Sequence, residues 1–160
     1  MEFVDEVAGF LRTAHAQGLR VLLVGGAAVN FHGYQRQSAD VDLWVEPVAE
    51  NFDRLLAVLR ALDYEVDALP EAVLRSEQNI SVKISPAMEI ELITRFDPGC
   101  SFDEAWQRRV TGELAGEPVA RYQVLAYEDL VNSKLRSARP KDLLDVQELR
   151  LKEFVFDQKA

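Results

Sequence analysis

RVLLVGG at residues 20–26 and SADVDLWV at residues 38–45 frame the reading of the whole chain. The first is an unbroken run of leucine and β-branched residues stopped by Gly25 and Gly26, the pattern of a strand buried on both faces that ends in a turn. In the second, strand alternation sends Val41, Leu43 and Val45 to one face and Asp40, Asp42 and Trp44 to the other. Between them, residues 27–32 read as a short helix ending at Gly33 and residues 35–38 as a polar loop.

Outward from this pair, Phe3, Val7, Phe10, Leu11 and Ala14 recur at helical spacing, and Gly18 closes that first helix. Residues 50–62 form an amphipathic helix that turns Phe52, Leu55, Leu56, Val58, Leu59 and Leu62 inward. A short strand is expected over 64–67, a turn of helix over 71–76, and paired strands over 80–84 and 88–94 around Ser85, Pro86 and Ala87. Residues 102–109 read as a helix capped by Ser101 with Glu104 at capping-box spacing, and 119–124 as a last extended segment. Helices over 127–137 and from Pro140 to about residue 151 finish the chain. Strands interrupted by helices predict an α/β (α+β) fold, a small mixed sheet flanked by helices with a C-terminal helical pair. Residues 1–152 are read as one domain and 153–160 as a tail.

With 18 Lys and Arg against 27 Asp and Glu, the net charge of −9 argues against a basic surface that coats nucleic acid, although a local basic pocket is compatible with it. The single cysteine, Cys100, forms no internal disulfide, and with only His15 and His32 it makes no credible Cys/His metal site. No stretch reaches the roughly 20 apolar residues of a membrane span, and a cytoplasmic setting is expected.

Asp40 and Asp42 carry the chemistry. Two residues apart on one strand face, they lie roughly 6–7 Å apart and repel by about 2.5 kcal/mol at an effective dielectric near 20. A divalent cation with oxygen ligands removes that cost, and Mg²⁺ typically takes one or two carboxylates together with substrate phosphates. A third acid is available in MEIELI at 88–93, where Glu89 and Glu91 face away from Met88, Ile90 and Leu92. Phosphoryl-type transfer uses such a set to hold metal on a triphosphate and to accept the proton of the attacking hydroxyl. Gly25 and Gly26 suit a phosphate, because backbone N–H groups there approach an anion closely. Late in the chain, Lys134, Arg136, Arg139 and Lys141 form a basic cluster, with Asp142 and Asp145 available to pair with them. Composition alone leaves Lys134 on a solvated helix face, so Lys134→Ala is expected to cost little stability.

The order Val24-Gly25-Gly26, thirteen residues, Asp40-Val41-Asp42-Leu43, then an alternating strand with an acid resembles the minimal nucleotidyltransferases of the DNA polymerase beta superfamily. Within it the likeness is to small bacterial proteins related to the nucleotidyltransferases of toxin-antitoxin and abortive-infection systems, and more distantly to aminoglycoside and lincosamide nucleotidyltransferases. It covers GGAAVNFHGY at 25–34, SADVDLWV, IELI at 90–93 and SKLRSARPKDLLDVQEL at 133–149.

The resemblance implies that Gly25 and Gly26 hold nucleotide phosphates, that Asp40 and Asp42 bind metal, and that Lys134, Lys141 and Asp142 line the nucleotide pocket. The third acid, usually aspartate, falls on Glu91, with Glu89 as the fallback. Arg36, in the loop before Asp40, is a further candidate triphosphate contact. The expected activity is transfer of a nucleoside monophosphate from an NTP to a hydroxyl on a protein, an RNA end or a small molecule, with Mg²⁺ or Mn²⁺. A cognate toxin or antitoxin is the expected protein partner. The alternative is a nucleotide-binding or antitoxin-like module of weak catalytic power.

Overall fold

The computed structural model describes residues 1–37 and 40–159, without the side chains of 154–159, so Ser38 of the polar loop lies outside the described residues. The first helix, α1 (Asp5–Ala16), buries Val7, Phe10, Leu11 and Ala14, as its spacing requires. It closes through Gly18 N–H to the His15 carbonyl and Leu19 N–H to the Ala14 carbonyl, which satisfies two carbonyls of the last turn.

β1 (Val21–Val24) is buried along its whole length. α2 (Gly25–Phe31) starts on the first glycine instead of after the pair, so Gly25 and Gly26 form its first turn. β2 (Asp40–Val45) pairs antiparallel with β1, Val24 opposite Asp42 and Val21 opposite Val45. Its apolar face is buried as expected. Trp44 on the other face is buried too, with ring centroids 5.1 Å from Phe96 and 4.9 Å from Phe102. The polar face of β2 is thereby confined to Asp40 and Asp42.

α3 (Ala49–Ala61) and the single turn α4 (Glu71–Leu74) follow. No strand forms over 64–67. The carbonyls of Val66 and Asp67 instead accept hydrogen bonds from the Arg60 guanidinium, at 3.0 and 2.7 Å, which takes the place of a ladder partner. β3 (Ile80–Ser85) and β4 (Met88–Ile93) make the expected hairpin. α5 (Phe102–Gln107) carries the full capping box, Ser101 accepting from Glu104 N–H while the Glu104 carboxylate accepts from Ser101 N–H.

β5 (Val110–Leu114), not foreseen, pairs antiparallel with β6 (Ala120–Val124). Only Gly112 and Leu114 of β5 face inward, and Gly112 lies under the Tyr122 ring where any Cβ would collide. A strand whose buried positions include a glycine shows no apolar alternation to read. α6 (Tyr127–Ser137) and α7 (Pro140–Lys159) pack on each other, and α7 runs on through the stretch read as a tail.

The sheet has the order β3-β4-β2-β1-β6-β5. β4 lies parallel to β2 with Asp40 opposite Glu89 and Asp42 opposite Glu91, and β6 lies parallel to β1. The glycine junction, the two aspartates and both glutamates therefore lie on neighbouring strands in the middle of the sheet.

Candidate functional site

Parallel register places Asp42 and Glu91 side by side, and the antiparallel β1–β2 pair brings Asp42 against the start of α2. Gly25 makes that approach feasible: its φ is +61°, and a Cβ there would collide with Asp42 Oδ2. Burial pushes the Asp42 carboxyl up from its ordinary value, and Glu91 and Asp40 push it further, while Lys134 and Lys141 draw it back in part. The repulsion inferred from the two-residue spacing is thus present, and Glu91 adds to it.

A cavity of about 550 Å³ opens beside Asp42. One side carries Asn79, Arg95, Phe96 and Asp97 from the two ends of the β3–β4 hairpin. The other carries Ser133, Lys134, Arg136 and Ser137 of α6 with Arg139 and Asp142 at the start of α7. Lys134 is 6% exposed. Its Nζ lies 3.3 Å from Asp142 Oδ1 and 3.0 Å from Asp145 Oδ2, so the helix face expected to be solvated is an internal charge network. Lys134→Ala leaves two carboxylates short of a cation and is destabilising, contrary to the expectation for a surface residue. Burial pushes Asp142 up, but hydrogen bonds from Arg139, Ser137 and Lys134 outweigh it and hold the carboxyl at about 2. Arg139 binds it through Nε at 2.7 Å and Nη2 at 3.2 Å.

Of the residues singled out in the sequence, the cavity gathers Asp42, Lys134, Arg136, Arg139 and Asp142 in its lining, and Val24 leads from it into Gly25 and Gly26. Asp40, Glu89 and Glu91 adjoin Asp42 by sheet register. Glu91 Oε1 accepts a hydrogen bond from Asn79 Nδ2 at 3.3 Å. Lys141 is exposed on α7, close enough for its charge to act on Asp42. Arg36 is held away from the cavity lining, its Nε 2.9 Å from Asp145 Oδ1. Two residues escaped the sequence reading. Asn79 and Arg95 flank the β3–β4 hairpin, and the one available signal was the place of Arg95 just after the acid-bearing strand β4. Among the described residues Arg95 has no carboxylate partner, so its charge is free to meet an anion in the cavity.

His32 and Cys100 stay outside this chemistry. His32 ends α2, its Nε2–H donating to the Leu125 carbonyl at 2.8 Å, and burial lowers its pKa despite that bond. Burial and Asp129 push the Cys100 thiol up, which makes it a poor nucleophile.

Among the described residues, no three His, Cys, Asp or Glu side chains are gathered closely enough to hold a metal ion. The donor set nonetheless fits a hard cation, because it is all carboxylate, and Glu91 and Asp40 repel the Asp42 charge on top of the cost of its burial.

A family model described as a nucleotidyltransferase of unknown function (DUF6036) matches residues 2–155. Among curated proteins, none matches the sequence. The lincosamide antibiotic adenylyltransferase LnuA in its lincomycin-bound crystal structure has a similar fold, at TM-score 0.55 and 16% identity, over 92% of this chain and 96% of that one. The antibiotic-resistance factor ANT(2'')-Ia in solution aligns at TM-score 0.54 and 15% identity, over 96% and 90%. Its crystal structure with adenylyl-2''-tobramycin gives 0.51 and 18%, over 89% and 84%. The mixed sheet and its flanking helices are those of the nucleotidyltransferase fold.

Proposed function

Since the chain belongs to this nucleotidyltransferase family, we propose that it transfers a nucleoside monophosphate from an NTP to a hydroxyl acceptor, the nucleotide lying in the cavity beside Asp42. The observation that carries the reading is the register that sets Asp42 against Glu91 on one side and Gly25 on the other, under a wall of cations. Asp40 and Asp42 would hold a divalent cation, Mg²⁺ or Mn²⁺, which supplies neutralisation of the phosphate oxygens. Arg95, Arg136, Arg139 and Lys134 face the triphosphate, and the backbone N–H groups of Gly25 and Gly26 offer donors to a phosphate.

In the transfer, the acceptor oxygen bonds to the α-phosphorus as the bond to the β-phosphate oxygen breaks. Pyrophosphate leaves and the acceptor proton passes to Glu91. Lys141 adds to the positive field, and Asp142 keeps Lys134 and Arg139 in place. The acceptor is a protein, an RNA end or a small molecule, and the antibiotic acceptors in the names of the structural neighbours favour the last. Among the described residues no helix is long and apolar enough to cross a membrane. A cytoplasmic setting, and a cognate toxin or antitoxin as partner, belong to the same reading.

A second reading has one observation in its favour. Glu91 is engaged by Asn79 and the three acids are not drawn together, as in a nucleotide-binding module with weak transfer. Incubation with each α-labelled NTP, Mg²⁺ or Mn²⁺ and whole-cell extract separates the two. Transfer of label is expected from the unaltered protein, kept in Glu91→Asp and abolished in Glu91→Gln, which still binds NTP. Label transfer surviving in Glu91→Gln moves the third-acid role to Glu89. Absence of labelled product from both the unaltered protein and Glu91→Asp leaves the binding module.

A further inference from the structure

Asp145 lies outside the cavity lining, is 2% exposed, and holds cations from two separate parts of the chain. Its Oδ1 is 2.9 Å from Arg36 Nε. Its Oδ2 accepts from Arg36 Nη2 at 3.1 Å and lies 3.0 Å from Lys134 Nζ. Of these two contacts to the guanidinium, the one from Nη2 is a hydrogen bond, while the buried Nε sits at ion-pair distance from Oδ1 without being aligned to donate to it.

Arg36 is pinned from its other side as well. Its N–H donates to Asn30 Oδ1 at 2.9 Å, and the neighbouring Gln35 side chain donates to the Asn30 carbonyl at 3.0 Å. The segment is thus held between α2 and α7 only four positions before Asp40 starts β2. Four residues of chain span at most about 13 Å, so the place of Arg36 limits the place of Asp40. Through Oδ2, the oxygen that also accepts from Arg36 Nη2, Asp145 shares Lys134 with Asp142, and Lys134 lines the cavity with Asp42.

We propose that Asp145 is a positioning residue of the nucleotide site, clamping Arg36 ahead of Asp40 while holding Lys134 toward the cavity. The proposal rests on the nucleotidyltransferase reading. A carboxylate buried solely for stability is poorly explained, because well-packed apolar side chains serve as well once desolvation is counted. An ion pair that joins three elements at the edge of a binding cavity has a use that apolar residues cannot supply: it sets the place of two cations.

The test is NTP affinity with Mg²⁺ at equilibrium, below the melting temperature of every variant, for the unaltered protein, Asp145→Asn, Arg36→Ala and the double variant. Asp145→Asn and Arg36→Ala are each expected to weaken binding by about tenfold, and the double variant by little more than the worse single, since both break one clamp. A melting temperature lowered in Asp145→Asn with NTP affinity unchanged makes the residue merely structural and overturns the proposal. So do losses that multiply in the double variant. Should Asp145→Asn not fold, Arg36→Lys and Arg36→Ala decide: graded weakening supports the clamp, and affinity unchanged in both overturns it. Absence of NTP binding by the unaltered protein overturns the nucleotidyltransferase reading and this proposal with it, an outcome distinct from normal binding in the variants alone.

Discussion

Asp42 is a carboxylate placed at a disadvantage by its own fold. Burial raises its pKa first, then Glu91 and Asp40, against a partial pull from Lys134 and Lys141. The native state therefore holds the Asp42 proton more tightly than the unfolded chain, and stability falls as pH rises from about the ordinary 3.8 through the raised value. At neutral pH without metal, Asp42→Asn is expected to raise the melting temperature, by about 2–4 °C for each 1 kcal/mol of relieved repulsion. The gain disappears below the ordinary carboxylate pKa, where both forms are neutral. Melting followed from pH 3 to pH 8 in chelator checks this, and a gain independent of pH would assign it to packing. Asp40 and Asp42 were legible in the sequence because a two-residue spacing on a core strand fixes their common face. Asn79 and Arg95 were not, because only strand pairing brings the ends of the β3–β4 hairpin to α6 and α7.

Elements that signal their own ends were readable, and those defined by a neighbour were not. The Ser101–Glu104 box and the Gly18 closure are local hydrogen-bond patterns with fixed spacing. β5 and the absent strand over 64–67 depend on what lies alongside: Tyr122 over Gly112 in one case, the Arg60 side chain in the other. Asn51 is an element-scale device of this second kind. Fully buried on α3, it accepts from Arg20 N–H at 2.9 Å and donates to the carbonyls of Arg20 and Glu46, tying the helix to the ends of β1 and β2. Those two carbonyls keep a second donor each, Glu46 N–H and Val48 N–H, but Arg20 N–H would lose its acceptor in Asn51→Ala. One orphaned donor, two lost hydrogen bonds and a small void together cost about 2–3 kcal/mol. Urea unfolding is expected to show that loss with an unchanged slope. A loss under 1 kcal/mol would mean water replaces the amide.

At the scale of the whole molecule, the carboxylates and the glycine junction come from the first 93 residues, whereas Lys134, Arg136, Arg139 and Asp142 come from the last helical pair. Leu130 and Leu149 join the two sets through the core and Arg36 joins them through Asp145, and a ligand in the cavity would be a further bridge between sheet and helices. Binding to the native state alone stabilises by about 2.7 kcal/mol at a concentration 100 times Kd. At about 2–4 °C per kcal/mol, NTP with Mg²⁺ is then expected to raise the melting temperature by roughly 5–11 °C. The chain carries a net charge of −9, and a triphosphate beside Asp42 adds more negative charge, so NTP in chelator is expected to give little of that rise. The double substitution Asp40→Asn/Asp42→Asn removes the carboxylate repulsion without any cation, so it is expected to melt higher than the unaltered protein alone but to gain nothing further from Mg²⁺ and NTP. Scanning calorimetry across the four combinations of metal and nucleotide, for both proteins, reads this directly. An equal rise in the double variant would place the metal elsewhere and detach the cavity from the two aspartates.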